Sequence, residues 1–307
     1  MSIKFGPLRA MPSLSALIVL VLSTNPLAAL ASERVYLSQN EPATTGATSE
    51  VSATAVTLSN QRPKQGETIE VKVSGAEAPP PAAEFDKNSY KFFATPGDTG
   101  IYTTLVTVPV VMRPGVKSIK VGDKKLTLTV VDSKFPVQHL TLPKSKNNFD
   151  TAKGEEEAVD KAKATLSDER FWHGNFTVPS AARVSAGFGL RRVVNGVLLD
   201  DYFHSGLDYA GYLGTPVKAV APGRVVLAVS KGFKLHGNTI AIDHGQGVVS
   251  FYIHLQKVLV KDGDMVKQGQ LIGAVGQTGR ANGPHLHFSI YVNKVASNPW
   301  QWYRKAL

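Results

Sequence analysis

The 307-residue chain contains no cysteine. Disulfides therefore add nothing to its stability, a lipobox anchor is excluded, and any metal must be held by His, Asp or Glu. Beyond the first thirty residues no apolar run is long enough to span a bilayer. The formal charge is +10, yet the Lys and Arg are scattered, without the aromatic-interleaved basic blocks of a nucleic-acid binder. On an exported protein such a surface suits an anionic envelope or wall. A His-Glu-x-x-His motif, which supplies many zinc proteases with their glutamate base, is also missing. Helix-forming segments are scarce, whereas Gly and Pro are plentiful, so turn-rich β structure is expected.

The organisation follows from composition shifts. Residues 1–31 read as a secretory signal peptide: Lys4 and Arg9 precede an apolar stretch from Leu14 to Leu22, and Ala29-Leu30-Ala31 fits a cleavage site. The mature chain is then soluble, without a stable membrane anchor, and exported to the periplasm, the cell envelope or the medium. Residues 32–52, rich in Ser, Thr, Ala and Glu, read as a flexible leader. Residues 53–142 hold short β-rich runs separated by turns such as Arg113-Pro114-Gly115, and suggest a small immunoglobulin-like β-sandwich. They carry no cluster of His, Asp or Glu. Residues 143–172 form a linker with a helix expected over Glu155 to Leu166, acidic early and basic late. Residues 173–307 read as a compact, mostly antiparallel β domain.

Six of the eight histidines lie after residue 200. His285 and His287 open an apolar run with strand character, so alternation aims both at one face. That pair is half of a metal site, an acid/base pair, or one core and one surface histidine. His204 and Asp208 are four residues apart, but Gly206, Gly211 and Gly214 argue against a helix and for a loop or strand end. His254, between Ile253 and Leu255, is expected on the face opposite both. If His204, Asp208 and one of the paired histidines bound zinc, a fourth position would stay open for water. The two remaining imidazoles would replace the missing glutamate in handling protons. His173, His236 and His244 fit none of these positions; His244, in Asp243-His244-Gly245, reads as a turn residue.

These residues sit inside a series of spaced motifs: Gly187-Phe188-Gly189-Leu190-Arg191, His204-Ser205-Gly206-Leu207-Asp208, Ala221-Pro222-Gly223, Tyr252-x-His254-Leu255 and Thr278-Gly279-Arg280-x-x-Gly283-Pro284-His285-Leu286-His287-Phe288. From about Val178 to Tyr303 the chain resembles the lysostaphin-type zinc endopeptidases, the LytM or M23 family. Gln138-His139-Leu140-Thr141 and the β region before it resemble, more loosely, the N-terminal part of exported bacterial members. The resemblance implies a mainly β protein. Its C-terminal LytM/lysostaphin-like antiparallel β-sheet peptidase domain would follow an immunoglobulin-like β domain and a helical linker. It implies one Zn2+ per chain held by His204, Asp208 and His287, with His254 and His285 as the catalytic pair. The implied substrate is peptidoglycan, cut in its stem peptides or cross-links. The alternative is a non-catalytic LytM-type activator or scaffold of other wall hydrolases, which would lack one or more of these ligands. A wall hydrolase endangers its own cell, so the N-terminal domain or linker is expected to occlude the cleft.

Overall fold

A computed structural model describes residues 54–141 and 150–304. The expected signal peptide and leader, and the polar loop at 144–148, lie outside the described residues. The first strands are β1 (Ala55–Leu58), β2 (Thr68–Ser74), β3 (Ala83–Phe85), β4 (Asn88–Tyr90), β5 (Phe93–Ala94), β6 (Ile101–Thr107), β7 (Gly115–Val121), β8 (Lys124–Val130) and β9 (Val137–Leu140). After helix α1 (Glu155–Lys163) come β10 (Arg183–Ala186), β11 (Arg191–Val194), β12 (Val197–Phe203), β13 (Leu207–Ala210), β14 (Pro216–Lys218), β15 (Gly223–Val229) and β16 (Asn238–Gly245). The last elements are β17 (Val248–Val258), β18 (Met265–Val266), β19 (Leu271–Val275), β20 (His285–Val292), β21 (Val295–Ser297) and α2 (Pro299–Arg304). Among the described residues no helix is long and apolar enough to cross a membrane.

The first eight strands form two sheets, β1-β2-β6-β5 and β4-β3-β7-β8. Ile69, Val71 and Val73 alternate inward along β2 and meet Phe85, Tyr90, Ile119 and Leu128 in one core. Two sheets sharing a core is the sandwich-like arrangement that the alternation implied. β9 does not join either sheet. It runs parallel to β11, with Gln138 opposite Arg192, in a sheet of order β12-β11-β9.

The large sheet is antiparallel throughout, with the spine β10-β13-β20-β17-β16-β15-β18, and with β19 on β17, β14 on β19 and β21 on β20. Its core gathers Leu207, Tyr252, Leu255, Leu286 and Phe288 with Trp172, Phe188 and Trp302. Leu105 of β6 and Val110 belong to the same core. Thr68 bonds Ser297 through their hydroxyls at 2.7 Å, and the Gln301 side chain bridges the Thr68 N–H and carbonyl at 2.8 and 2.6 Å. The first sandwich is therefore tied to the end of the large sheet by both apolar burial and satisfied polar groups.

His244 is not in a turn. It lies in β16, fully buried, with Nδ1 2.7 Å from the Pro222 carbonyl and Nε2 2.7 Å from Ser250 Oγ. Two partners satisfy both ring nitrogens, and the turn moves on to Gln246 and Gly247, which take φ of 52° and 79°.

Helix α1 ends at Lys163, short of Leu166. Val159 and Ala162 pack on Leu227, Ala241, Val249 and Phe251, covering one face of the large sheet. Its first residue, Glu155, is fully buried. The carboxylate accepts the backbone N–H groups of Ala152, Lys234, Leu235 and His236 at 2.8, 2.7, 3.0 and 2.8 Å, and His236 Nδ1–H at 2.8 Å. Burial alone would raise its pKa, but these donors outweigh burial and lower it from 4.5 to about 2.

Between those two values the unfolded chain binds more protons than the folded one. This contribution to stability is thus complete above about 4.5 and lost as pH falls toward about 2. Glu155→Gln turns an amide N–H toward backbone donors and is expected to cost about 2–4 kcal/mol at neutral pH. In urea melts the gap between wild type and variant should narrow as the pH is lowered through that window. A gap that stays constant would show that the ionised carboxylate is not what holds the helix to the 234–236 loop.

Candidate active site

The site grows from one register. β13 and β20 pair so that Asp208 stands opposite His287, Tyr209 opposite Leu286 and Ala210 opposite His285. Leu286 and Phe288 turn into the core, so His285 and His287 turn to the other face, as alternation requires. β17 pairs with β20 on the other side, with Ile253 opposite His287. His204 follows β12, and Asp208 lies within β13, so the four-residue spacing is a strand end rather than a helical turn.

His254 reaches the site differently from what alternation implied. Asn238 pairs with Leu255 and Ile240 with Tyr252, leaving Ile253 and His254 opposite the single residue Thr239. This is a β-bulge, and His254 takes a left-handed φ of 63°. Tyr252 and Leu255 both remain in the core, while Ile253 and His254 both line the cleft. The expectation that Ile253 and Leu255 share the face opposite His254 is corrected: the extra residue breaks the alternation.

His204, Asp208, His254, His285 and His287 line one cleft of about 470 Å³. Three of them nearly touch: His204 Nε2, Asp208 Oδ1 and His287 Nδ1 form a triangle with sides of 3.0, 2.9 and 2.9 Å. The His204 side chain is 2% exposed, and those of Asp208 and His287 are 13% exposed. His204 Nδ1 lies 2.7 Å from the Gly187 carbonyl. A carbonyl only accepts, so Nδ1 carries the proton and Nε2 turns a lone pair toward the triangle. An ionised carboxylate and a second imidazole nitrogen converge on that lone pair. One proton cannot serve all three, whereas one cation can, and two imidazole nitrogens with a carboxylate oxygen form a zinc-type donor set. Burial would raise the Asp208 pKa, but hydrogen bonds and charge from His204 and His287 hold it well below the usual carboxylate range. Burial pushes His287 down to about 4.

The other two imidazoles share one arrangement. His254 Nδ1 lies 2.9 Å from the Thr278 carbonyl, and His285 Nδ1 lies 2.8 Å from the Gly283 carbonyl. Each Nδ1 therefore donates, and each Nε2 is left as a base. His285 Nε2 is 3.9 Å from Asp208 Oδ1, and the His254 and His285 rings are 4.8 Å apart. Burial, then the neighbouring His285 and His287, push His254 down to about 3, so it is neutral at ordinary pH.

Further residues complete the cleft that the sequence did not mark as site residues. Arg192 sets Nη2 3.9 Å from Asp208 Oδ2 and Nη1 3.1 Å from the Tyr202 hydroxyl. Gln138, Arg280 and Asn282 line the same cleft, as do Val159 and Lys163 of α1 and His236. Gln138 and Arg192 are brought there by the β9–β11 pairing, which no local pattern announces.

Residues 202–299 match the model of Peptidase family M23. The peptidoglycan DD-endopeptidase ShyC of Vibrio cholerae is 43% identical over 119 residues, covering 38% of this chain and 26% of that protein. Lysostaphin of Staphylococcus staphylolyticus is 42% identical over 99 residues, covering 32% of this chain and 20% of that protein. The chain thus spans about a quarter of the length of these curated relatives or less. A Pseudomonas aeruginosa crystal structure, described as a candidate M23 peptidase, is 28% identical with a TM-score of 0.59, covering 78% of this chain and 95% of that one.

Gly206 is what lets His204 and Asp208 reach the triangle from one short segment. A Cβ there would lie 2.1 Å from the Phe288 carbonyl oxygen and 3.0 Å from His287 Nε2. Gly206→Ala must push β13 away from β20 and is expected to cost about 2 kcal/mol or more in thermal melts. An unchanged melting temperature would mean that this approach is not tight.

Proposed function

We propose that this chain, which carries a peptidase family M23 domain, is an exported zinc metallo-endopeptidase that hydrolyses peptide bonds in peptidoglycan stem peptides or cross-links. The observation that supports it is the triangle of His204, Asp208 and His287 with two more imidazoles facing it in one cleft. Those three residues would hold one zinc ion per chain, which would supply Lewis acidity to a bound carbonyl oxygen or water, with a water pKa near about 7.

The protein's own groups supply the rest. His254, neutral at ordinary pH, and His285 each turn Nε2 into the cleft, which suits taking the proton of the attacking water. As imidazolium the same group donates to the leaving amine or to the oxyanion of the tetrahedral intermediate. Their Nδ1–H bonds to Thr278 and Gly283 hold the rings in place, so little reorganisation is needed when charge develops. Arg192 Nη2 lies 3.9 Å from the outer oxygen of Asp208. A non-catalytic activator or scaffold is disfavoured, because such a module has no need of all five residues.

Envelope or extracellular residence follows from a peptidoglycan substrate, and export would be directed by residues 1–31. Gln138, Val159 and Lys163 line the cleft from segments that precede the matched domain. We read them as narrowing access for the polymer. Lys163→Ala is expected to raise turnover of intact peptidoglycan relative to soluble muropeptides, and an unchanged ratio would count against occlusion.

The catalytic assignment separates ligands from proton carriers. His287→Ala should lose most of its bound zinc, measured by metal analysis after gel filtration, together with the muropeptide products seen by mass spectrometry. His254→Ala and His285→Ala should keep zinc and lose about 10²–10⁴-fold in rate. Full zinc and full activity in His287→Ala would overturn the ligand set.

A further inference from the structure

His254 is held in an unfavourable conformation. It sits in the β17 bulge with a φ of 63°, which a residue with a Cβ keeps only where its neighbours impose it. Two hydrogen bonds impose it here. The His254 backbone N–H donates to the His236 carbonyl at 2.9 Å, and its Nδ1–H donates to the Thr278 carbonyl at 2.9 Å. The two acceptors lie on loops that are fastened to one another. The Arg280 backbone N–H donates to the Leu235 carbonyl at 2.9 Å. The Asn238 N–H donates to the Thr278 hydroxyl at 2.9 Å, and that hydroxyl donates to the Leu255 carbonyl at 2.9 Å. The loop backbones also touch: a Cβ on Gly237 would lie 2.5 Å from the Thr278 carbonyl carbon, and one on Gly279 would strike the Gly237 nitrogen.

The 234–236 backbone is in turn shaped around Glu155. The N–H groups of Lys234, Leu235 and His236 converge on its carboxylate at 2.7, 3.0 and 2.8 Å, and the His236 ring adds another donor at 2.8 Å. Successive backbone N–H groups turned to one side make a nest for an anion, and the buried carboxylate is that anion. The His236 N–H and the Leu235 carbonyl belong to one rigid peptide plane, so Glu155 on one side sets the acceptor for Arg280 on the other. The next carbonyl in the chain, that of His236, receives His254. Glu155 is itself fixed from the helix side by the Ala152 N–H at 2.8 Å and by the packing of Val159 and Ala162 on the large sheet. We infer that Glu155 is a positioning residue for catalysis, which through the 234–236 loop holds His254 with Nε2 in the cleft. The inference rests on the peptidase function proposed above. Glu155 precedes the matched residues 202–299, so the helix before them would complete the geometry of their proton carrier.

The test uses the full zinc-loaded chain with two readouts: cleavage of soluble cross-linked muropeptides, and NMR of isotopically labelled histidine, with the His254 signals assigned by their loss in His254→Ala. Wild type should show His254 as the Nδ1–H tautomer. Glu155→Gln should keep zinc and lower kcat by about ten- to a hundredfold with KM little changed, the scale of a misplacement of about 1 Å. Its His254 signals should broaden or show both tautomers. Glu155→Asp, which keeps the charge, should recover part of both, and it carries the comparison if Glu155→Gln does not fold. Ala162→Gly loosens the same helix away from the cleft, so it should lower the melting temperature and leave kcat and the His254 signals as in wild type. In a His254→Ala background, Glu155→Gln should change kcat by under about threefold. Unchanged kcat or unchanged His254 signals in Glu155→Gln overturn the inference and leave the peptidase function standing. So does an equal loss of kcat in Ala162→Gly, or a full further loss on top of His254→Ala. If wild type cleaves no muropeptide, the peptidase function falls and the catalytic role of Glu155 with it, whatever the NMR shows.

Discussion

Asp208 stands opposite His287 across one antiparallel strand pair, and the rest of the site is arranged around that register. Slipping the pair by one residue would turn both histidines of β20 into the core and Leu286 out of it. The burial of Leu286 and Phe288 therefore does more than stabilise the sheet: it keeps His285 and His287 on the cleft side. The other participants are adjustments to this pair. Gly206 allows the chain to close over the Phe288 carbonyl, which brings His204 onto the triangle. The bulge in β17 brings His254 across while Tyr252 and Leu255 stay inside.

Electrostatics and packing then act on the same few groups. Carbonyl oxygens of Gly187, Thr278 and Gly283 each take an Nδ1–H, which sets three imidazoles with Nε2 as a lone pair. Burial keeps His254 and His287 neutral, the state in which an imidazole can act as ligand or base. The cleft itself is composite. It is lined by residues of the large sheet, of β9 and β11, and of α1 and the 234–236 loop that Glu155 ties down. Segments that precede residues 202–299 in the chain thus line it as well.

How much of this could be read in the sequence depends on the range of each interaction. The shared face of His285 and His287 follows from the two-residue period of a strand, and the structure has it. The exclusion of a helix between His204 and Asp208 followed from Gly206, and the structure has a strand end there. The face of His254 was misjudged because it depends on a bulge, and a left-handed non-glycine residue leaves no local signal. His244 was taken for a turn residue because Asp and Gly flank it, whereas its buried bonds to Pro222 and Ser250 decide its place. Glu155 looked like one of several acids at a helix start. Three of its partners are backbone N–H groups 79 to 81 residues away, and no side-chain pattern could point to them. The same holds for β9, whose parallel pairing with β11 bridges more than fifty residues and carries Gln138 to the cleft.

The central claim is that His204, Asp208 and His287, and neither of the other two cleft histidines, form the metal site. Anomalous diffraction at the zinc absorption edge from crystals of the purified protein tests it most directly. The account expects one peak within bonding distance of His204 Nε2, an Asp208 carboxylate oxygen and His287 Nδ1, with His254 and His285 beyond it. A peak bound by His254 or His285, or no peak in the cleft of an active enzyme, would contradict it.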